Sequence, residues 1–221
     1  AVPETLRHSR VLSPARHGLT LSLARFALGI ALGLPLQLLA IAVGWDFDSA
    51  AVSNWFADPA FSLPGVLIAV GIVVLPVPAM LFWSALLARA IGRVTPGVIS
   101  RWSLAYVRVW LKGDLLQFAG KWLSGALWWP VWLRWAGMKV GRGCEISTII
   151  DTVPELVEIG PESFLADGIY LGGPRIHRGS VRLAPVELGQ NTFVGNHAVV
   201  AGPQRLPGDI LVGICTVADD A

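Results

Sequence analysis

The chain has 221 residues, of which 54% are hydrophobic and only 14% are charged, and its mean hydropathy is +0.61. These values exclude an ordinary soluble protein and indicate a membrane protein. The formal net charge of +2 says little as a sum, and we expect no nucleic-acid partner. Ten tryptophans against two tyrosines favour contact with a membrane interface, because an indole has an apolar body and one N–H that seeks water.

Residues 1–18 are polar and basic, and we interpret them as a cytoplasmic lead-in. The apolar run behind them is too long for a signal peptide and does not end in a small-residue cleavage site. His8 and His17 lie in this segment and are expected to be solvated. The chain does not begin with Met and stops just after a repeat, so we expect it to be a piece of something longer.

Residues 19–93 are predicted to form a two-helix transmembrane hairpin. The apolar runs 19–43 and 63–88 are each long enough to cross a bilayer, and Pro35 should kink the first of them. The loop between them is acidic and their outer flanks are basic, which by the positive-inside rule puts both termini in the cytoplasm. We therefore expect a multi-pass protein of the cell membrane. The alternative is a pair of buried core helices in a soluble protein.

Residues 94–137 form a Trp-rich juxtamembrane segment. Its basic residues, such as Lys112, alternate with apolar ones, such as Leu115, at roughly helical spacing. This pattern predicts an amphipathic helix in the plane of the cytoplasmic leaflet, where it carries the C-terminal domain on the lipid bilayer. The alternative is a helix that caps the open end of that domain, and both could hold at once. Trp128 to Pro130 should form a turn or break.

Residues 138–221 are predicted to form an all-β domain, a left-handed parallel β-helix of hexapeptide repeats, which we expect to be truncated. An aliphatic residue recurs at every sixth position, namely Leu188, Val194, Val200, Leu206 and Val212. A period of six fits a coil of three short strands and three turns with the aliphatic side chains stacked inside. The alternative is an irregular β-sandwich. Neither a disulfide nor a metal site is expected, because Cys144 and Cys215 lie about four coils apart.

The six-residue rhythm is interrupted between Leu171 and Leu188, and interruptions of a repeat often carry function. This interruption contains Arg175, His177 and Arg178. His177 is the first candidate for a general base, with an oxyanion held by the backbone N–H groups of Gly172 and Gly173. His197, in the turn of VGNHAV, is the competing candidate. The alternative is that each histidine only caps a turn.

Further polar residues lie on the predicted coils. Glu145, Ser147 and Asp167 could line a groove that receives an aminoacyl or acyl thioester, because residues about 18 apart stack in neighbouring coils. The alternative is a solvated polar face. The sequence contains no three-histidine metal set, no phosphate-binding loop and no nucleophile elbow.

The order of these segments, together with the sequences at 134–160, 172–189 and 193–202, resembles one family. It is similar to the membrane-bound C-terminal region of nonribosomal peptide synthetases of the poly-lysine-synthetase type. The resemblance implies a domain that joins aminoacyl units through amide bonds, with adenylation and carrier domains of the same synthetase as partners. The donor would be a phosphopantetheine-linked aminoacyl thioester, with no cofactor bound directly by this chain.

Two functions follow as expectations. The first is a membrane-anchored acyltransferase, in which Arg175 and Arg178 bind the phosphate of the carrier arm and His177 or His197 is the base. The second is a structural module that positions other synthetase domains at the membrane. The sequence leaves a homo-oligomer open.

Overall fold

The computed structural model describes residues 11–42, 70–71 and 74–218. Its helical part contains α1 (Pro14–Leu32), α2 (Leu34–Ala42) and α3 (Pro76–Ala90), followed later in the chain by α4 (Leu104–Leu123) and α5 (Trp129–Ala136). One helical stretch, Pro14–Leu39, is long and apolar enough to cross a membrane, whereas α3 is apolar but shorter. The predicted hairpin is therefore not seen, since its acidic loop and residues 63–69, 72 and 73 of its second run lie outside the described residues.

The first apolar stretch is interrupted near Pro35, as predicted. Helix α1 ends at Leu32 and α2 begins at Leu34, with Gly33 between them. Because Pro35 has no N–H, the carbonyl of Ala31 lacks its helical partner. The indole Nε1 of Trp83, in α3, donates to that carbonyl at 2.7 Å. The bond satisfies the carbonyl that the proline leaves free, and it ties α3 to the α1–α2 junction.

The Trp-rich segment forms two helices with different surroundings, and the prediction of one amphipathic helix is wrong. Ser103 caps the N-terminus of helix α4, because its hydroxyl accepts a hydrogen bond from the N–H of Tyr106 at 3.2 Å. Helix α4 packs against α1 and α3. Lys112, expected on its polar face, is fully buried. The short α5 packs against the first strands of the C-terminal region, with Trp129 and Leu133 buried there, so the alternative of a capping helix describes α5. The break was predicted at Trp128 to Pro130, but it lies at residues 124–128, and Pro130 is in the first turn of α5.

The C-terminal region is rich in parallel strands. Three four-stranded parallel sheets have the orders β13-β10-β5-β2, β14-β11-β6-β3 and β15-β12-β7-β4. Their strands are β2 (Lys139–Val140), β3 (Glu145–Ile146), β4 (Ile149–Ile150), β5 (Val157–Ile159), β6 (Phe164–Leu165), β7 (Ile169–Leu171), β10 (Val186–Leu188), β11 (Phe193–Val194), β12 (Val199–Val200), β13 (Gln204–Leu206), β14 (Leu211–Val212) and β15 (Val217–Ala218). A 3-10 helix, Pro154–Leu156, precedes β5.

The aliphatic positions of the repeat are in register across these sheets. Leu188 pairs with Ile159 and Leu206, and Val194 pairs with Leu165 and Val212. Along the chain the strands visit the three sheets in rotation, apart from one interruption. This connectivity is compatible with the predicted β-helix, and the parallel pairing disfavours the antiparallel sandwich.

The interruption is a β-hairpin formed by β8 (Arg175–His177) and β9 (Ser180–Leu183). Its turn residues Arg178 and Gly179 both have positive φ, 43° and 84°, as a two-residue hairpin turn requires. Strand β1 (Gly97–Ser100) pairs antiparallel with β9, which makes a three-stranded sheet that the sequence did not predict. This sheet connects the segment before α4 to the repeat region.

The helices and the parallel strands share one core. It runs from Ala88 in α3 through Leu115 in α4 and Trp129 in α5 to the stacked aliphatic residues of the strands. A buried ion pair crosses the same boundary, where Lys112 Nζ donates to Glu155 in the 3-10 helix and, at 2.7 Å, to the carbonyl of Ala88. The repeat region is therefore joined to the helical part by apolar packing and by buried charge.

Candidate functional site

One corner of the parallel-strand region gathers the polar side chains, and we call it the polar corner. It consists of the turns that connect the second sheet to the third, and its residues are Ser147, Thr148, Asp167, Asn196 and His197. The turns stack because the strands before and after them pair in parallel register. Side chains 20 to 30 positions apart in sequence thereby meet in successive coils.

The Asp167 carboxylate is the centre of the polar corner. The hydroxyls of Ser147 and Thr148 both donate to its Oδ1, the latter at 3.2 Å. The backbone N–H of Asp167 donates to Asn196 Oδ1 at 3.0 Å. These bonds link three successive turns of the chain through one aspartate.

The hydrogen bond from Ser147 is the main reason that the pKa of Asp167 is lowered. The Thr148 hydroxyl and the nearby His197 imidazole lower it further, because each stabilises the ionised carboxylate. Asp167 is therefore an anion at neutral pH, and its exposure to water also favours the ionised form. Such an anion is suited to orient an imidazole and to stabilise the imidazolium that forms when the ring takes a proton.

His197 is held in place by its backbone. Its φ is 56°, a left-handed conformation in which histidine is among the more frequent non-glycine residues. Its N–H donates to the carbonyl of Asp167 at 2.9 Å. The ring lies against Gly168, where an added Cβ would collide with Nδ1. Glycine at 168 thus leaves the space that the imidazole occupies beside Asp167.

The other predicted site residues lie elsewhere. Glu145 is exposed on β3, directly across from Phe164. His177 and Arg178 are exposed at the end of the hairpin, and Arg175 is partly exposed on β8. Among the predicted residues, the structure brings together only Ser147, Asp167 and His197 within the described part of the chain.

Two predictions are wrong, one about the backbone of Gly172 and one about the exposure of His17. The N–H of Gly172 donates to the carbonyl of Val200 at 2.9 Å, so it is not free to hold an oxyanion. His17 is buried rather than solvated, with its ring centroid 5.6 Å from that of Trp102 and 6.5 Å from that of Tyr106. The lead-in is anchored there because the N–H of Leu12 donates to the carbonyl of Trp102 at 2.9 Å. His8 lies outside the described residues.

Sequence reasoning missed a residue that contacts the polar corner, and it missed a cavity. Ser124, just after α4, shares a hydrogen bond of 3.1 Å with Thr148, and no local pattern connects these two positions. The cavity has a volume of about 390 Å³ and lies between α4 and the start of the hairpin. Its lining includes Arg25, Tyr106, Trp110, Asp114, Asp151 and Ile176.

An ion pair forms one side of the cavity. Arg25 donates to Asp114 through Nε at 2.6 Å and through Nη2 at 2.5 Å, and its guanidinium lies 5.2 Å from the centre of the Trp110 ring. Burial raises the pKa of the nearby Tyr106 hydroxyl, and the Asp151 carboxylate raises it further. Within the described ranges, no three His, Cys, Asp or Glu side chains lie close enough to hold a metal ion.

The fold and the polar corner together define a class of protein in which an apolar helical part is packed onto a region of three parallel sheets. No family model matches the chain. The chain is a distant homologue of the delta-poly-L-ornithine synthetase of Acinetobacter baumannii, with 32% identity over 158 residues. The similarity covers 67% of this chain and 12% of that protein. It supports a relationship to a synthetase-type family.

Proposed function

We propose that this chain is a membrane-anchored acyl-transfer domain of a peptide synthetase, which joins a carrier-bound aminoacyl unit to an amine acceptor. The observation that carries the proposal is the polar corner, where Asp167 is ionised beside the His197 imidazole. A second support is the relative, a synthetase that is named for the product delta-poly-L-ornithine. Making such a product from amino acids requires amide bonds, and an amide bond requires that an amine lose a proton during attack.

In the proposed reaction the acceptor amine attacks the thioester carbonyl of the donor. A C–N bond forms, the C–S bond breaks, and the thiolate leaves on the phosphopantetheine arm. The His197 imidazole takes the proton from the amine and gives it to the thiolate, so protons balance without a further reactant. Asp167 stabilises the imidazolium meanwhile, and the hydroxyls of Ser147 and Thr148 hold its carboxylate in position.

The hairpin residues keep a role in the proposal. Arg175 and Arg178 would bind the anionic phosphate of the carrier arm, which arginine does well because charge-assisted hydrogen bonds are strong. Glu145 would contact the substrate from the outer face of β3. His177 is the competing base. The carrier and adenylation domains of the same synthetase would be the partners of this surface.

We propose further that the parallel-strand region is a left-handed β-helix held on the bilayer by the helical part. The apolar stretch Pro14–Leu39 supports this, as do Trp122, Leu127 and Trp128, all exposed, with Leu127 at 90%. Both termini would face the cytoplasm. Cysteine labelling of intact cells, in a Cys215→Ser background because Cys215 is exposed, should reach Asn54→Cys and should not reach Arg178→Cys. The reverse pattern would contradict this topology.

The test of the function is a matched pair of substitutions in the synthetase that carries this segment. His197→Asn keeps a residue that tolerates the left-handed turn, and His177→Asn is its counterpart on the hairpin. We expect His197→Asn to lower product formation by about 10²-fold or more, the usual scale for a lost general base, while aminoacyl loading of the carrier stays normal. His177→Asn should have little effect.

The opposite result for the two variants would move the base to the hairpin. Normal product formation in both would favour the second function, a non-catalytic module that positions the other synthetase domains. One observation favours that function: the polar corner lies at an exposed surface rather than inside a cleft.

A further inference from the structure

The cavity between α4 and the hairpin is separate from the polar corner, and nothing assigned so far explains it. We propose that it binds a primary ammonium group carried on a short aliphatic chain, with Asp151 as the counter-ion. Its volume, about 390 Å³, lies in the range of about 300–1,000 Å³ that small-molecule sites occupy. The proposal rests on the charge of the lining, on its rings and on the open space above Gly113.

The charge of the lining is negative once its ion pair is taken into account. Both guanidinium contacts of Arg25 go to Asp114, so these two charges neutralise each other. Asp151 has no ion pair or hydrogen bond to its carboxylate among the described residues. Among the described lining residues, one carboxylate therefore remains without a counter-ion and attracts a cation, whereas Arg25, the one lysine or arginine in that set, is already engaged.

The remaining walls suit an aliphatic chain that ends in an ammonium. Tyr106, Val109 and Trp110 lie on one face of α4, and Ile176 of β8 lines the cavity from the hairpin. An alkyl stem can pack between these apolar groups, and aromatic ring faces attract cations. Gln117 supplies an amide oxygen as a further acceptor for the ammonium N–H groups.

The cavity can be filled without disturbing the fold. Gly113 lies on the lining side of α4, and a Cβ added there would meet nothing within 4 Å. A larger side chain at 113 would therefore project into the empty volume. Replacing glycine inside a helix also favours the helix. Gly113→Leu is thus a steric probe of the cavity that should leave the protein folded.

An ammonium of this kind can come from a soluble amine or from an aminophospholipid headgroup, since both present the same chemistry. The probe is isotopically labelled 1,5-diaminopentane, with binding measured by equilibrium dialysis on the complete chain in nanodiscs of phosphatidylcholine. We expect saturable binding. Asp151→Asn should weaken it by about 10-fold or more, the scale for losing a charged hydrogen-bond partner, and Gly113→Leu should abolish it.

Asp209→Asn is the matched control for Asp151→Asn. Asp209 is also exposed and also has a left-handed φ, 59° against 53° at Asp151, but it lies outside the cavity. It should leave binding unchanged. Gly29→Leu controls for the glycine change, because a Cβ at Gly29 in α1 also meets nothing within 4 Å. Circular dichroism of each variant checks its fold.

Nanodiscs that contain phosphatidylethanolamine separate the two sources. If phosphatidylethanolamine weakens binding of the diamine, the ligand is a lipid headgroup. If it does not, the ligand is a soluble amine, and either outcome supports an ammonium site. The proposal is overturned if the diamine shows no saturable binding to the unmodified protein. It is also overturned if Asp151→Asn and Gly113→Leu bind the diamine as the unmodified protein does.

Discussion

The buried pair of Lys112 and Glu155 should be one of the most sensitive points for the stability of this protein. Lys112→Met keeps most of the side-chain volume and removes the charge. Glu155 then loses its only described partner, since its Oε2 already has none, and the Ala88 carbonyl loses its donor. The two side chains are 0% and 8% exposed, so water does not replace the lost contacts.

The expected magnitude follows from that burial. Removing one partner of a buried ion pair costs about 3–5 kcal/mol, because the other charge stays buried without compensation. That is a large part of a typical stability of about 5–15 kcal/mol. The double variant Lys112→Met with Glu155→Leu removes both charges and leaves only the Ala88 carbonyl unsatisfied, at about 1–3 kcal/mol. It should therefore be more stable than Lys112→Met alone.

The assay is chemical unfolding of the chain in detergent micelles, followed by circular dichroism. Lys139→Met is the matched control, because its ion pair with Glu158 lies at the surface with side chains 72% and 48% exposed. An exposed pair contributes about 0–1 kcal/mol. The reasoning is refuted if Lys112→Met unfolds at the midpoint of the unmodified protein. It is also refuted if the loss of stability in the double variant equals the sum of the losses in Lys112→Met and Glu155→Leu.

Three further outcomes are expected. Trp83→Phe should lower the free energy of unfolding by about 1–3 kcal/mol because the Ala31 carbonyl loses its donor. Adding Pro35→Ala should restore part of the loss by supplying a backbone N–H. An equal loss from Trp83→Phe with Pro35 and with Ala at position 35 would contradict this account. Ser147→Ala should raise the pKa of Asp167 towards its ordinary value, measured by carboxyl NMR titration. Because the folded pKa of Asp167 is lowered, the ionised carboxylate stabilises the fold above the unfolded pKa of about 3.9, and this stabilisation is lost as pH falls through the folded pKa. An unchanged titration of Asp167 in the variant would mean that Ser147 does not lower its pKa. Trp122→Ala should speed the proteolytic release of the parallel-strand region from liposomes. The control is Phe193→Ala, because Phe193 is exposed on the strands, whereas Trp129 is buried and its replacement would disturb the core. Equal release rates in the two variants would mean that Trp122 does not contact the membrane.

Part of the candidate site was accessible from the sequence. Residues about 18 positions apart stack in neighbouring coils, so Ser147 could be expected beside the coil that holds Asp167. The pattern did not reveal which histidine would join them, because His177 and His197 are both turn residues of the right chemistry. Only the hairpin separates them, since it carries His177 away on its own antiparallel sheet and leaves His197 stacked over Gly168.

The burial of single polar residues could not be predicted from the sequence in the same way. Lys112 and Leu115 both fit a helical pattern, and the pattern suggested that the lysine faces water or lipid headgroups. It is buried because the 3-10 helix of another segment brings Glu155 against it. His17 is buried for a comparable reason, since Leu12 bonds to the backbone of Trp102 and draws the lead-in onto α4.

The period of six by itself determined where the short strands lie and which aliphatic residues pack in register, because each repeat carries the same local alternation and the same turn. The apolar run 19–43 likewise needed no tertiary information, and most of it lies in the helical stretch Pro14–Leu39. Only the tertiary structure decided that Arg25 meets Asp114 across 89 positions and that Lys112 meets Glu155 across 43. Those contacts depend on how α1 and the 3-10 helix are set against α4, and that arrangement comes from the packing of whole elements rather than from any local repeat.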